Sequence, residues 1–355
     1  MYKQKCTLII QIREVKTWKT KKKRVVLSGI RATGKLHLGN YLGAIQHFVT
    51  LGQDPNNECF YFIANLHTLT TRQDPVQMQH DLRNIVLDFM AYGLDPEKST
   101  IYAQSSVPEI SELAWLLACL TPVSGLMGMP HFKEKKKKLE HEGTNANAGL
   151  LTYPILMAAD ILGPHANLVP VGEDQHPHVE MARELAKRFN HNFGNTFPIP
   201  ELLQGQAIRV PGLSASGKMG KSDADGAIML DDSSKAVTDK LRLAVTDPQR
   251  QKRSDPGNPE ICNIFTFHHL ISEPKEIEWA RHGCTSAGIG CLECKTVIAK
   301  HINDILDPIR ERRHELIAQG MHRIDEIIHQ GGFKARQLIS THVAEAKEKM
   351  GVPLY

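Results

Sequence analysis

At 355 residues the chain is long enough to bury a large core and to divide into two domains. Its 41% apolar and 23% charged content excludes a disordered or fibrous protein, and no apolar run is long enough to cross a bilayer. A net charge of +4 permits a phosphate-bearing or RNA partner without requiring one.

Residues 1–24 hold a short apolar run at 6–10, then Glu14 and a lysine-rich end. That pattern suits neither a secretory signal nor a transit peptide, so they read as a basic extension outside the fold, and the cytoplasm is the expected compartment. A β-branched run at 25–27 reads as a buried strand. Gly29 and Gly34 bracket the polar loop after it, and Leu38, Leu42, Ile45 and Phe48 recur at helical spacing, so a helix is expected from about His37. Strand, glycine-rich turn and helix make a phosphate site, because unpaired N–H groups and positive potential gather at a helix start. They equally make an ordinary βα turn with a surface histidine.

Residues 58–69 read as a second strand followed by a loop carrying His67, 75–92 as a helix ending near Gly93, 99–103 as a third strand and 112–120 as an apolar helix. Strands alternating with helices predict a parallel α/β sheet. A composition change at 225–235 predicts a boundary between a domain at 25–230 and a mostly helical one at 231–355, with an irregular Pro/Gly/Cys stretch at 255–294.

Four stretches could carry chemistry. Residues 217–222, GKMGKS, place Lys218 and Lys221 in a glycine-flanked loop able to close over a polyphosphate. Residues 149–162 read as a helix entered at Thr152 or Tyr153 with Pro154 in its first turn, which sets Tyr153, Met157 and Asp160 on one face. A carboxylate in so apolar a run needs a partner: an indole N–H from a ligand, or an internal arginine. Leu168–Val171 reads as a strand leading into GEDQ, where Asp174 could hold ribose hydroxyls and Gln175 an amino acid's polar end; helix capping by Glu173 or Asp174 is the alternative. The run FKEKKKK at 132–138 reads as solvated surface.

HLGN at 37–40 and KMGKS at 218–222 resemble the HIGH and KMSKS signatures of class I aminoacyl-tRNA synthetases, with Asn40 in place of the second His and Gly220 in place of the first Ser. The string around MAAD at 157–160 and GEDQ at 172–175 resembles the tryptophanyl group, and the match runs from about residue 25 to the C-terminus. The resemblance implies a Rossmann-like catalytic domain, a helical anticodon-recognition domain whose last helix packs back on the first, and a homodimer. It implies that tryptophan, ATP, Mg²⁺ and tRNA(Trp) are the ligands, with transfer of an activated tryptophan to the tRNA. The residues implied to act on phosphates are His37, Asn40, Lys133, Lys135, Lys218 and Lys221. ATP would lie along Arg31, Thr33, Gly39, Asn40, Gly172, Asp174, Lys218, Met219, Lys221 and Ser222. Tyr153, Met157, Asp160, Gln175 and His67 would select tryptophan.

Cys262, Cys284, Cys291 and Cys294 are spaced C-x21-C-x6-C-x2-C, which suits zinc or an iron–sulfur cluster. Some tryptophanyl enzymes carry a [4Fe-4S] cluster on nearly this arrangement, so the resemblance implies iron–sulfur, with zinc as the alternative. Two rivals share parts of this pattern. A small-molecule nucleotidyltransferase would need no helical C-terminal domain, and a non-catalytic paralogue would not need Lys218 and Lys221.

Overall fold

A computed structural model describes residues 23–71, 74–203, 208, 210–214, 217–220 and 225–352. Strand β1 (Arg24–Ile30) ends in the glycine-rich loop and leads to α1 (Leu38–Asn40), a π turn (Tyr41–Ile45) and α2 (Gln46–Gln53). β2 (Asn57–Ile63) leads to a single turn, α3 (Asn65–Thr68), so His67 sits on a helical turn and not on the expected loop. Then come α4 (Pro75–Ala91), β3 (Ser99–Ala103), a 3₁₀ turn (Gln104–Ser106), α5 (Glu109–Ala118), α6 (Val123–Gly128), α7 (Pro130–His141) and α8 (Ala148–Leu162). β4 (Leu168–Pro170), a 3₁₀ turn (Glu173–Gln175), α9 (His176–Phe193) and β5 (Glu201–Leu203) complete the sheet. Five helices follow: α10 (Ser234–Leu243), α11 (Asn263–Ile271), α12 (Pro274–Thr285), α13 (Cys291–Ala318) and α14 (His322–Lys349).

The five strands are parallel in the order β3-β2-β1-β4-β5. Their side chains alternate between two buried layers. Val26, Cys59, Tyr61, Ile63 and Ile101 face a core shared with α4 and α13, while Leu27, Phe60, Phe62 and Tyr102 face one shared with α5, α8, α9 and α14. Burial on both faces is why these strands read as continuous apolar runs.

Two further expectations are corrected. The helix carrying Asp160 begins at Ala148, because Asn147 caps it by accepting from Leu150 N at 2.8 Å. Pro154 therefore lies inside it, buried, and not in the first turn. The stretch 255–294 holds all of α11 and α12 and the first turn of α13, whose apolar spacing the prolines and cysteines disguise.

The C-terminal helices pack against the sheet domain. Arg313 Nε donates to Asp88 on α4 at 2.9 Å, and Arg336 on α14 pairs with Glu109 on α5. α14 crosses the outer strand β3 at Gly331-Gly332. A Cβ on Gly331 would come within 1.9 Å of Ile101 O, so only glycine admits this approach. The crossing covers the edge that β3 would otherwise expose.

Candidate active site

The site begins where the strand order reverses. β2 and β3 lie on one side of β1, β4 and β5 on the other. β1 and β4 share a single paired register, Val26 with Leu168, and beyond it Ser28 Oγ bridges to Pro170 O at 2.9 Å. The chains leave that point in opposite senses and open a crevice at their carboxyl ends, the place where open α/β sheets bind ligands. A cleft of about 1220 Å³ opens there.

One end of the cleft is the turn after β1. Asn40 Oδ1 accepts from His37 N at 3.0 Å, which closes the first helical turn. An antiparallel bridge pairs His37 with Met229, and Leu38 N donates to Ile228 O. The chain after residue 225 thus braces the turn. Gly39 makes room first for a neighbouring ring, since a Cβ there would lie 3.0 Å from the His37 imidazole. Gly29 is needed for the same reason, because its Cβ would strike the Phe62 ring at 2.7 Å. Arg31 reaches across to donate to Thr71 Oγ1 at 2.6 Å and to His67 O. Burial pulls the Arg31 guanidinium and the Lys135 ammonium below their ordinary pKa values, and for Lys135 the Arg31 charge adds to burial. Two cations held near one another in a partly dry cleft are poised for an anion.

The other end is the face of α8. Tyr153, Met157 and Asp160 all line the cleft. Asp160 is 2% exposed, and burial raises its pKa. Its partners are His67 Nε2 at 2.9 Å and the Gln104 side-chain amide, which donates to both carboxylate oxygens at 2.9 Å. The internal arginine offered as the alternative partner is not among them. Gln104 also accepts from the backbone N–H groups of Leu66 and His67, so one side chain joins the end of β3, α3 and α8. Nothing in the sequence marks Gln104, because it sits in an isolated 3₁₀ turn without a motif around it.

From the third side, Gly172, Asp174 and Gln175 line the cleft after β4. A Cβ on Gly172 would meet Asp174 Oδ1 at 2.8 Å, and Gln175 Nε2 donates to Asp174 at 2.6 Å. Glu173 and Asp174 lie inside the 3₁₀ turn, and α9 is entered at Gln175 without a side-chain cap, so neither acidic residue caps the helix.

The cleft thus collects Arg31, His37, Gly39, Asn40, His67, Lys135, Tyr153, Met157, Asp160, Gly172, Asp174, Gln175, Lys218 and Met219. Thr33 does not line it, and Lys133 is exposed on a different face of α7 from Lys135, as a two-residue step on a helix requires. Lys221 and Ser222 lie outside the described residues. His131, which the sequence reading passed over, lines the cleft as well.

Away from the cleft, Cys262, Cys284, Cys291 and Cys294 line one small cavity of about 20 Å³ with Arg250. Two of the four sulfurs have close polar neighbours: Arg250 Nη1 lies 3.9 Å from Cys284 Sγ and His268 Nε2 lies 3.0 Å from Cys294 Sγ. Among the described residues no group of three or more His, Cys, Asp or Glu is arranged to hold a metal ion as it stands. Burial, and then the other three thiols, push the Cys294 thiol up to about 12.

Residues 19–307 match the family "tRNA synthetases class I (W and Y)". The chain is 41% identical over 329 residues to a tryptophan–tRNA ligase of Deinococcus radiodurans, covering 92% of this chain and 98% of that protein. It is 42% identical over 330 residues to a tryptophan–tRNA ligase of Thermotoga maritima, covering 92% and 99%. The fold superposes with a TM-score of 0.80 on the crystal structure of Campylobacter jejuni tryptophanyl-tRNA synthetase complexed with ADP and tryptophan, at 33% identity and covering 92% and 99% of the two chains.

Proposed function

The chain belongs to the class I tRNA synthetases of the tryptophanyl and tyrosyl type, and from that premise we propose how its residues divide the work of a tryptophan–tRNA ligase. The enzyme activates tryptophan with ATP to tryptophanyl-adenylate and pyrophosphate, then passes the acyl group to tRNA(Trp). The tryptophan carboxylate attacks the α-phosphate, so no side chain serves as nucleophile, and the protein contributes position and charge. In our reading ATP lies along the turn after β1. Gly39 and Asn40 approach its backbone side, Arg31, His37, Lys135 and Lys218 face its phosphates, and Mg²⁺ arrives with the nucleotide. Asp174 takes the ribose hydroxyls. Pyrophosphate carries the negative charge that develops, and the cations draw it away.

At the far end Asp160 accepts the indole N–H, Met157 offers a polarizable surface to the ring, and Gln175 meets the polar end of the amino acid. The observation that carries this reading is the buried Asp160 carboxylate on the cleft wall, held by His67 and Gln104. A site built on a buried hydrogen bond rejects an analogue lacking the donor far better than an apolar pocket can. The experiment is ATP–pyrophosphate exchange with each of the twenty amino acids supplied singly, followed by tRNA charging. Exchange with tryptophan alone is expected; exchange with tyrosine would move the specificity contacts away from Asp160.

The four cysteines read as ligands of a [4Fe-4S] cluster, with zinc as the alternative. Four thiols around one cavity, with the Arg250 guanidinium and the His268 ring beside their sulfurs, suit a thiolate-bound group that carries negative charge. A Cβ on Gly257 would lie 2.6 Å from Cys284 Sγ, so the glycine gives that thiol its space. Bound there, the group would cross-link the chain before α11 to α12 and α13. Anaerobically purified protein with visible absorption, iron and sulfide supports the cluster; colourless protein with one zinc overturns it.

We further assign residues 231–355 to anticodon recognition, the reaction to the cytoplasm, and the assembly to a homodimer. Trp115, Val123 and Met127 of α5 and α6 are 71%, 62% and 54% exposed, and an apolar surface of that kind supports a subunit contact.

A further inference from the structure

Tyr153 Oη lies 2.9 Å from His131 Nδ1 and 2.7 Å from His178 Nε2. The rings crowd together, with His178 and His131 centroids 5.2 and 6.1 Å from that of Tyr153. A phenol has one hydrogen and two lone pairs. Between two imidazoles it therefore donates one bond and accepts the other.

Burial decides which. His178 is 1% exposed, and its Nδ1 has no hydrogen-bond partner among the described residues. The ring is neutral at pH 7, because burial first, and then the His131 and His67 charges, bring its pKa to about 4. A neutral imidazole carries one N–H. Placed on Nδ1, that N–H would be stranded in the interior. Placed on Nε2, it meets Tyr153 and leaves only a bare acceptor at Nδ1. Stranded buried donors are rarer than under-used acceptors, so the hydrogen is assigned to Nε2. His178 then donates to Tyr153, and Tyr153 donates to His131 Nδ1. One lone pair of the phenol oxygen remains.

Tyr153 lies on the cleft wall two helical turns from Asp160, roughly 10 Å along the axis. Tryptophan has two donor groups. With the indole N–H on Asp160, the α-ammonium is left for the remaining lone pair of Tyr153. We infer that His131 and His178 are positioning residues which fix the direction of the Tyr153 hydroxyl, so that its oxygen presents an acceptor to the substrate ammonium. The inference rests on the reading of Tyr153 as part of the tryptophan pocket.

A pH dependence follows. Protonated His131 donates at Nδ1, and Tyr153 would then accept from both imidazoles and turn its own hydrogen towards the substrate cation. Tryptophan binding therefore weakens as His131 gains its proton. The groups facing His131 are Lys135 and Glu134 from its own helix, Arg31 from the loop after β1, Asp174 after β4, Tyr153 from α8 and His178 from α9. Burial is the largest cause of its lowered pKa; Lys135 and Arg31 add to it, while Glu134 and Asp174 oppose it. His178 stays neutral through the same range.

The test is the KM for tryptophan and kcat in pyrophosphate exchange between about pH 5 and 8. In the unsubstituted enzyme KM rises as pH falls, with a smaller change in kcat. Tyr153→Phe and His131→Leu each raise KM about tenfold, with no acid rise beyond it. His131→Gln, whose amide oxygen can accept from Tyr153, recovers most of that loss and lacks the acid rise. Inhibition by indole-3-propionate, which has no ammonium, does not follow the profile. An unchanged KM in Tyr153→Phe would overturn the placement of Tyr153 itself. A raised KM there, with His131 variants that keep the original KM and pH profile, would overturn the positioning role alone.

Discussion

Four side chains at or behind the cleft wall show how far single residues can be read. Asp160 stands out in the sequence because nothing else in residues 150–162 is charged. Its partners do not stand out: His67 carries no signal beyond being a histidine after a strand, and Gln104 carries none. A carboxylate's need for a partner is local chemistry, whereas the identity of the partner depends on which loops the topology brings together. His178 belongs to the second kind, and it makes a prediction. Its folded pKa of about 4 lies below the ordinary histidine value of 6.5. Between those values the unfolded chain holds a proton that the folded chain does not, so stability falls as pH is lowered from 6.5 to 4. The slope from this residue is up to about 1.4 kcal/mol per pH unit. His178→Gln should flatten that part of a urea-unfolding series by a comparable amount. A series with the same slope as the unsubstituted protein would mean that His178 already titrates freely when folded.

Among the elements, β1 to β4 were legible because their central residues are buried on both faces, so apolar residues run without interruption, whereas β5, exposed or half-buried throughout, offers no such run and was not expected. Helix ends were less legible. Tyr153-Pro154 looks like a helix start, yet Asn147 caps α8 and the proline is carried inside. The two 28-residue helices read as helical from their spacing, but the reason for Gly331-Gly332 in the middle of α14 is tertiary. The helix backbone lies against Ile101 O, leaving no space for a side chain. Gly331→Ala should cost about 3 kcal/mol, read as a lower denaturant midpoint. Gly125→Ala, with nothing within 4 Å of the added carbon, should be neutral or stabilising by roughly 1 kcal/mol. Equal effects at both positions would show that helix propensity, not the contact with β3, sets the result.

On the scale of the whole molecule, the order of the sheet places the cleft. β1 is central, and its two neighbours carry the chain away in opposite senses. The turn after β1 and the Asp160 wall therefore meet although they lie more than a hundred residues apart in sequence. Sequence spacing gave the presence of those two parts. Their face-to-face placement needed the crossover from α8 through β4, and the contact of the cleft with Met219 and Lys218 needed the bridge from His37 to Met229. The proposed recognition of tryptophan rests first on Asp160 accepting from the indole nitrogen. The deciding measurement is the ratio of kcat/KM for tryptophan over phenylalanine in pyrophosphate exchange, for the unsubstituted enzyme and for Asp160→Ala, with the KM for ATP as the control that the cleft survives. The ratio should fall at least about a hundredfold while the KM for ATP holds; a ratio that does not move would take Asp160 out of the recognition of tryptophan.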